Sequence, residues 1–245
     1  MPKTAYDRQF YQRITGGARG SAREVVPTLI DLLAPRSVVD VGCGTGAWLS
    51  VFRDHAVEDV LGIDGDYVDP ESLQIPSNAF LPADLRRPIH VGRTFDMALS
   101  VEVAEHIPAE SASIYLDSLT RLSDAIVFSA AIPNQGGTGH VNEQWPEYWK
   151  DRFETRGYVL IDCLRHRIWN NRNVERWYRQ NMVLYVTEQQ LERDEALQRE
   201  YAQAKGRPLS IIHPATYAAP SFGTLVRMMP TVLTRAVRRR FGGAS

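Results

Sequence analysis

Cysteine is scarce in this chain. There are two in 245 residues, Cys43 and Cys163, far apart. Two such thiols make no disulfide framework and suit a reducing compartment. Cys43 sits among glycines and reads as a small residue that fits there rather than as a nucleophile. An excess of one charge is missing too. Lys and Arg total 28 against 29 Asp and Glu, a net charge of −1, so nothing in the overall charge calls for nucleic acid as a partner. No apolar run approaches the roughly 20 residues that cross a bilayer. The N-terminal stretch MPKTAYDRQFYQR is polar and lacks the apolar segment of a signal peptide. Internal repeats are absent. These absences lead to the expectation of a cytoplasmic protein. The hydrophobic content of 44% supports a full-sized core, in one large α/β domain or a domain with an appendage.

The patterning alternates between strand and helix. SAREVVPTLIDLLAP places Ser21 and Glu24 at capping-box spacing and puts Val26, Leu29, Ile30 and Leu33 on one helical face, so a helix is expected to start at Ser21 and to stop at Pro35. Short apolar strands follow at SVVDVG, DVLGID, AFLPAD, FDMALSV and AIVFSAAI, with helices after the glycine loop (Ala47 to His55) and after Pro108. Trp145, Trp149 and Phe153 recur every four residues between Pro146 and Gly157, which marks another helix. YVLIDCL and MVLYV are two more strands, separated by residues 164–180 with no evident crossover helix, so the last strand is expected to run antiparallel. The fold class read from this order is α/β: a Rossmann-like, doubly wound, seven-stranded sheet, mostly parallel, with one reversed strand near an edge and helices on both faces. Ligands bind such sheets at the carboxyl ends of the strands, near the switch in strand order. The following stretch, EQQLERDEALQREYAQAKG, is highly charged and reads as an exposed helix.

VVDVGCGTGAWL, residues 38–49, raises the functional question. Gly42, Gly44 and Gly46 alternate directly after an apolar strand. Gly42, Gly44 and Ala47 satisfy the dinucleotide pattern G-x-G-x-x-G/A, and Asp64 lies about twenty residues on, so an NAD(P)-binding oxidoreductase is one reading. Three further features count against it: Asp40 just before the loop, Asp84 after the third strand in LPADL, and SVEVAEHIP at the end of the fourth. With GIDGDYV, these stretches resemble the motif series of class I S-adenosylmethionine-dependent methyltransferases, over roughly residues 20–187. HVNEQWPEYW and IWNNRNVERWYRQN further resemble a bacterial branch associated with polysaccharide and natural-product chemistry.

The resemblance implies S-adenosylmethionine as cofactor and assigns roles by position. The loop Gly42–Gly46 passes close to the methionine and ribose portions. Asp64 accepts from both ribose hydroxyls, with Gly65 beside it. Asp84 takes the adenine amino group, Leu85 offers its amide to the ring, and Ala83 precedes them. Asp40 faces the methionine ammonium. Cys43, Trp48, Leu49, Ser100, Val101 and Glu102 complete the expected lining. Residues 1–20 would form a lid in which Tyr11 and Ser21 touch the methionine carboxylate, although core packing competes for Tyr11 and helix capping, the stronger reading, for Ser21. The domain division implied is a methyltransferase domain over 1–187 and a helical, basic tail over 188–245.

A hydroxyl acceptor needs a base during transfer, and histidine titrates in the right range. His140, after the fifth strand, is expected to serve ahead of His106, whose EHI context is partly structural in many relatives. Glu102 and Glu105 could orient His106, and Glu143 could orient His140 or bind substrate. Glu102, Glu105, Glu143 and Asn142 could be imagined as hard metal ligands. No Asp-Asp or Asp-Asn pair stands where metal-dependent relatives keep one, so no metal is expected. Residues 133–150 and 164–180 are the expected substrate cover. Trp145, Trp169, Asn170 and Glu143 are its candidate contacts, and Gly136, Gly137 and Gly139 form a loop able to close. The favoured activity is methyl transfer to a hydroxyl of a small molecule such as a sugar or glycosylated metabolite. N-methylation, the oxidoreductase, and a protein that binds the cofactor without catalysis are the rivals. The partner expected is the small-molecule acceptor. The stretch TLVRMMPTVLTRAVRRRF is basic and partly apolar, so peripheral membrane contact is open. The reading set ahead of it is a loose or partner-packed tail, because Pro230 interrupts the helix. A homodimer is also open.

Overall fold

The computed structural model describes residues 8–217, with side chains from 17 to 216. The side chain of Tyr11 and the basic stretch after residue 217, read as a loose or partner-packed tail with membrane contact left open, lie outside the described residues.

The first helix, α1, runs from Arg8 to Leu33, well past the expected start at Ser21. Ser21 is fully buried in mid-helix. Its hydroxyl donates to the Gly17 carbonyl at 2.8 Å and accepts from the Glu175 amide at 2.9 Å. Glu24 receives the amides of Asn171 at 2.8 Å and Asn173 at 3.2 Å. The polar pair that resembles a capping box therefore serves to dock the 171–175 segment. Gly17 permits that close approach, because a Cβ there would stand 2.5 Å from Glu175 Oε1.

Strands β1 (Ser37–Val41), β2 (Asp59–Asp64), β3 (Phe80–Pro82), β4 (Met97–Val101), β5 (Ala125–Ser129), β6 (Tyr158–Ile161) and β7 (Val183–Thr187) form one sheet in the order β3-β2-β1-β4-β5-β7-β6. The pairs among β1 to β5 are parallel, and β7 is antiparallel to both β5 and β6. Side chains alternate between two cores, as the two-residue strand period requires. Val38, Met97, Leu99, Ala125 and Val127 face α1 and α2 (Ala47–Asp54). Val39, Ala98, Ile126 and Phe128 face α3 (Ala112–Leu122) and α4 (Pro146–Glu154).

Two expectations need correction. The 164–180 connection contains two short helices, α5 (Arg165–Ile168) and α6 (Arg176–Asn181). The charged stretch after β7 forms α7 (Glu188–Arg193) and α8 (Glu195–Ala204), and it is not simply exposed. Leu197 is fully buried in the α1 side of the core, with Leu191 and Tyr201 packed against it. Three apolar positions among many charges suffice to dock a helix along one narrow stripe. Residues from Pro214 on form a second unit, of which one turn, Pro214–Tyr217, is described. Among the described residues no helix is long and apolar enough to cross a membrane.

Candidate active site

Strand order reverses between β1 and β4, so their carboxyl ends diverge into a crevice. The glycine loop lies at this edge, and its glycines divide the work. Gly42 and Gly46 have φ of +90° and +77°, and a Cβ at either would collide with Val103 (2.3 Å) or Ile75 (2.9 Å). Gly44, with φ of +53°, has nothing within 4 Å of where its Cβ would stand. Two glycines therefore seat the loop, and the middle one keeps its surface open to a ligand.

Asp64, at the end of β2, organises the loop. Its Oδ2 accepts from the Gly44 amide at 2.6 Å, and its Oδ1 accepts from the Gly65 amide at 2.7 Å and from the Tyr67 hydroxyl. Burial raises its pKa, and these three hydrogen bonds oppose the rise. Asp40, at the end of β1, is 1% exposed, and its Oδ1 has no hydrogen-bond partner. Burial, and then the charge of Asp64, push its carboxyl well above the usual range. An unpaired buried carboxylate oxygen calls for a cation or a donor. Cys43 is buried beside these acids, which raises its thiol pKa well above normal and makes it unreactive.

Other expected contacts are engaged elsewhere. Asp84 is held by Arg86, whose Nε and Nη2 each donate at 2.8 Å, and its carboxyl is lowered to about 2 chiefly by that bond. The Ser100 hydroxyl is buried against that of Tyr115, so it points into the core and leaves its backbone at the strand mouth. Trp48 is buried with its ring edge-on to Tyr178 at 5.2 Å. Leu49 is fully buried. Trp145 is 39% exposed at the start of α4. Trp169 packs on His213 at 4.5 Å between centroids, and its carbonyl is 2.7 Å from His213 Nε2. Asn170 is exposed.

Beyond β4 the chain assembles a second polar group. Glu102 has φ of +57°, a conformation that side chains rarely adopt, and its oxygens accept from Gln135 Nε2 at 2.9 Å and Asn181 Nδ2 at 3.0 Å. The rings of His106 and His140 meet edge to face, with centroids 4.9 Å apart. His106 Nδ1 lies 3.2 Å from the Gly139 carbonyl, and His140 Nδ1 lies 2.9 Å from Glu143 Oε1. Burial and the neighbouring His140 hold the His106 pKa below normal. Burial opposes the charge of Glu143, but His140 and the amides of Asn134 and Gly136 outweigh it and lower its pKa. Glu105 is 1% exposed, and neither of its oxygens makes a hydrogen bond.

This arrangement can be set beside known proteins. A family model described as "Methyltransferase domain" matches residues 17–171, more than half of the chain. The chain belongs to the class I S-adenosylmethionine-dependent methyltransferases. No curated protein matches it in sequence. Several solved structures share the fold of this methyltransferase. Magnesium protoporphyrin IX methyltransferase from Synechocystis PCC 6803, with bound SAH, is 17% identical and has a TM-score of 0.51 over 75% of this chain and 90% of that one. Streptomyces venezuelae DesVI is 12% identical, with a TM-score of 0.56 over 73% and 95%. CalS10, a SAM-bound amino pentose methyltransferase from Micromonospora echinaspora, is 14% identical, with a TM-score of 0.52 over 75% and 98%.

The cofactor of this methyltransferase is S-adenosylmethionine. The loop fits it on two counts, the open face at Gly44 and the orphaned oxygen of Asp40, an acceptor that an ammonium would satisfy. The sequence reading has Gln135 in the loop able to close over the substrate but passes over Tyr67 and Asn181, which bond to Asp64 and Glu102. Tyr67 follows Asp64 closely enough to be found from GIDGDYV. Asn181 stands at the end of α6, and no local pattern links it to Glu102.

Proposed function

We propose that this methyltransferase acts on a hydroxyl of a small-molecule acceptor, a sugar or a glycosylated metabolite. The observation that carries the reading is the His140–Glu143 contact in the segment that follows β5. A carboxylate on Nδ1 fixes the tautomer and leaves Nε2 as a proton acceptor. An amine nucleophile needs only to be neutral, whereas a hydroxyl must lose its proton as it attacks, so a tethered imidazole suits oxygen. A small acceptor is in keeping with the structural relatives, whose names specify a magnesium protoporphyrin and an amino pentose.

When bound, S-adenosylmethionine supplies a methyl group on a positively charged sulfur, already activated for displacement. In the residues' division of labour, Asp64 and Tyr67 receive the ribose, Asp40 pairs with the ammonium, and Gly44 allows the backbone to approach. Trp145 and Glu143 border the acceptor side. In the metal-free protein, His140 Nε2 takes the proton that the acceptor oxygen releases. Most of the acceleration comes from alignment, worth on the order of 7–11 kcal/mol.

The test uses labelled S-adenosylmethionine with matched panels of hydroxylated and amine acceptors. Hydroxyl methylation is expected, and His140→Ala is expected to lower turnover about 10²–10⁴-fold while leaving affinity for S-adenosylhomocysteine within about twofold. Methylation of amines alone, or full turnover in His140→Ala, rejects the reading.

A further inference from the structure

We propose that Glu105, His106 and His140 form a binding site for one divalent transition-metal ion. The site adjoins the cofactor loop, and it deepens the hydroxyl-transfer reading on which it rests. One ligand atom from each of the three residues lies within 4.8 Å of the others. The two histidines come from separate segments, brought together because the amides of Val141 and Asn142 both donate to the Glu105 carbonyl, at 2.9 and 3.0 Å.

The hydrogen bonds fix which atoms face inward. A carbonyl only accepts, so His106 donates from Nδ1 to Gly139 and its lone pair is on Nε2. An ionised Glu143 likewise only accepts, so His140 donates from Nδ1 and its lone pair is on Nε2, 3.9 Å from Glu105 Oε1. Imidazoles tied back through Nδ1 to a carbonyl or carboxylate are held as metal ligands commonly are. Glu105, across that 3.9 Å gap from His140, is buried with both oxygens lacking a hydrogen bond. Three metal-ligating atoms meet there, and neither carboxylate oxygen has a hydrogen-bond partner.

A cation answers all three atoms at once. Ligands about 2.1 Å from one ion stand roughly 3–3.5 Å apart, so the 3.9 Å pair needs to close by about half an ångström. Two imidazoles and one carboxylate select Mn²⁺, Fe²⁺, Co²⁺ or Zn²⁺ over Mg²⁺ and Ca²⁺, which prefer oxygen alone. Three protein ligands leave coordination positions open, and the occupant that fits them is the acceptor's hydroxyl oxygen. An ion there lowers the proton affinity of that oxygen, so its proton passes to solvent water before transfer and His140, now a ligand, is not needed to take it.

The test removes metal from the full chain with a chelator and titrates it with MnCl₂, following free Mn²⁺ by electron paramagnetic resonance and heat by calorimetry. One Mn²⁺ per chain at micromolar affinity is expected, with Mg²⁺ at least tenfold weaker. Glu105→Gln and His140→Gln should each weaken Mn²⁺ at least tenfold, and His55→Gln, on the surface, should not. Affinity for S-adenosylhomocysteine, measured on the same samples, should stay within about twofold and reports that each variant is folded. Absence of Mn²⁺ and Zn²⁺ binding below millimolar concentration, or equal binding in both cluster variants, overturns the proposal. Tight metal binding without hydroxyl methylation overturns only the acceptor reading.

Discussion

Asp40 shows how a single side chain can carry information about a ligand. Its carboxyl is buried with one oxygen unpartnered, so in the ligand-free protein the neutral form is favoured. The unfolded pKa is the ordinary 3.8 and the folded one is higher, so the stability tied to this group is full below 3.8 and is lost as pH rises through the folded value. Asp40→Asn removes that titration. The ligand-free variant is expected to melt no lower than the parent at pH 7 and to lose part of the decline above about pH 4, in melts recorded across pH. Its affinity for S-adenosylhomocysteine should fall about tenfold or more by calorimetry, since a charged hydrogen bond is worth about 1.5–3 kcal/mol. Undiminished affinity would show that the ammonium lies elsewhere. That Asp40 stands as a carboxylate in an apolar strand was legible in the sequence; that one of its oxygens is left without a partner was not. Nor was the plight of Glu105, since its burial depends on what the 139–142 segment brings over it.

The glycine loop is the element where sequence and structure agree most closely. Its pattern predicts a tight loop after β1, and the fold adds that the three glycines are not equivalent. Gly42→Ala must strain a φ of +90° and displace Val103, whereas Gly44→Ala meets only the strain of φ +53°. The first is expected to cost about 3 kcal/mol in denaturant unfolding and the second about 1–2. Gly44→Ala should instead weaken S-adenosylhomocysteine binding, because the new methyl enters the open face. A reversed order of stability would contradict the packing described. The start of α1 was misread for a physical reason as well. Ser21 and Glu24 have the chemistry of a cap, but their partners are Gly17, Glu175, Asn171 and Asn173. Local spacing cannot tell a serine that caps its own helix from one that pins a distant segment.

At the scale of the whole molecule, the sheet needs cover on both faces, and α8 supplies part of it from beyond the last strand. Leu197→Ala removes a fully buried side chain from the α1 side of the core. It is expected to destabilise the fold by about 2–5 kcal/mol in chemical denaturation, with S-adenosylhomocysteine affinity kept. A loss under about 1 kcal/mol would mean that the segment is an appendage. The seven strands and the reversal of the last were legible because buried strands read as apolar runs and residues 164–180 show no pattern of a crossover helix. The sequence by itself determined the family, the sheet and the cofactor loop, because each is written in residues that are neighbours along the chain. Only the tertiary structure decided which oxygens and nitrogens face one another. Glu105, His106 and His140 come together through hydrogen bonds between separate segments, and spacing along the chain carries no record of them.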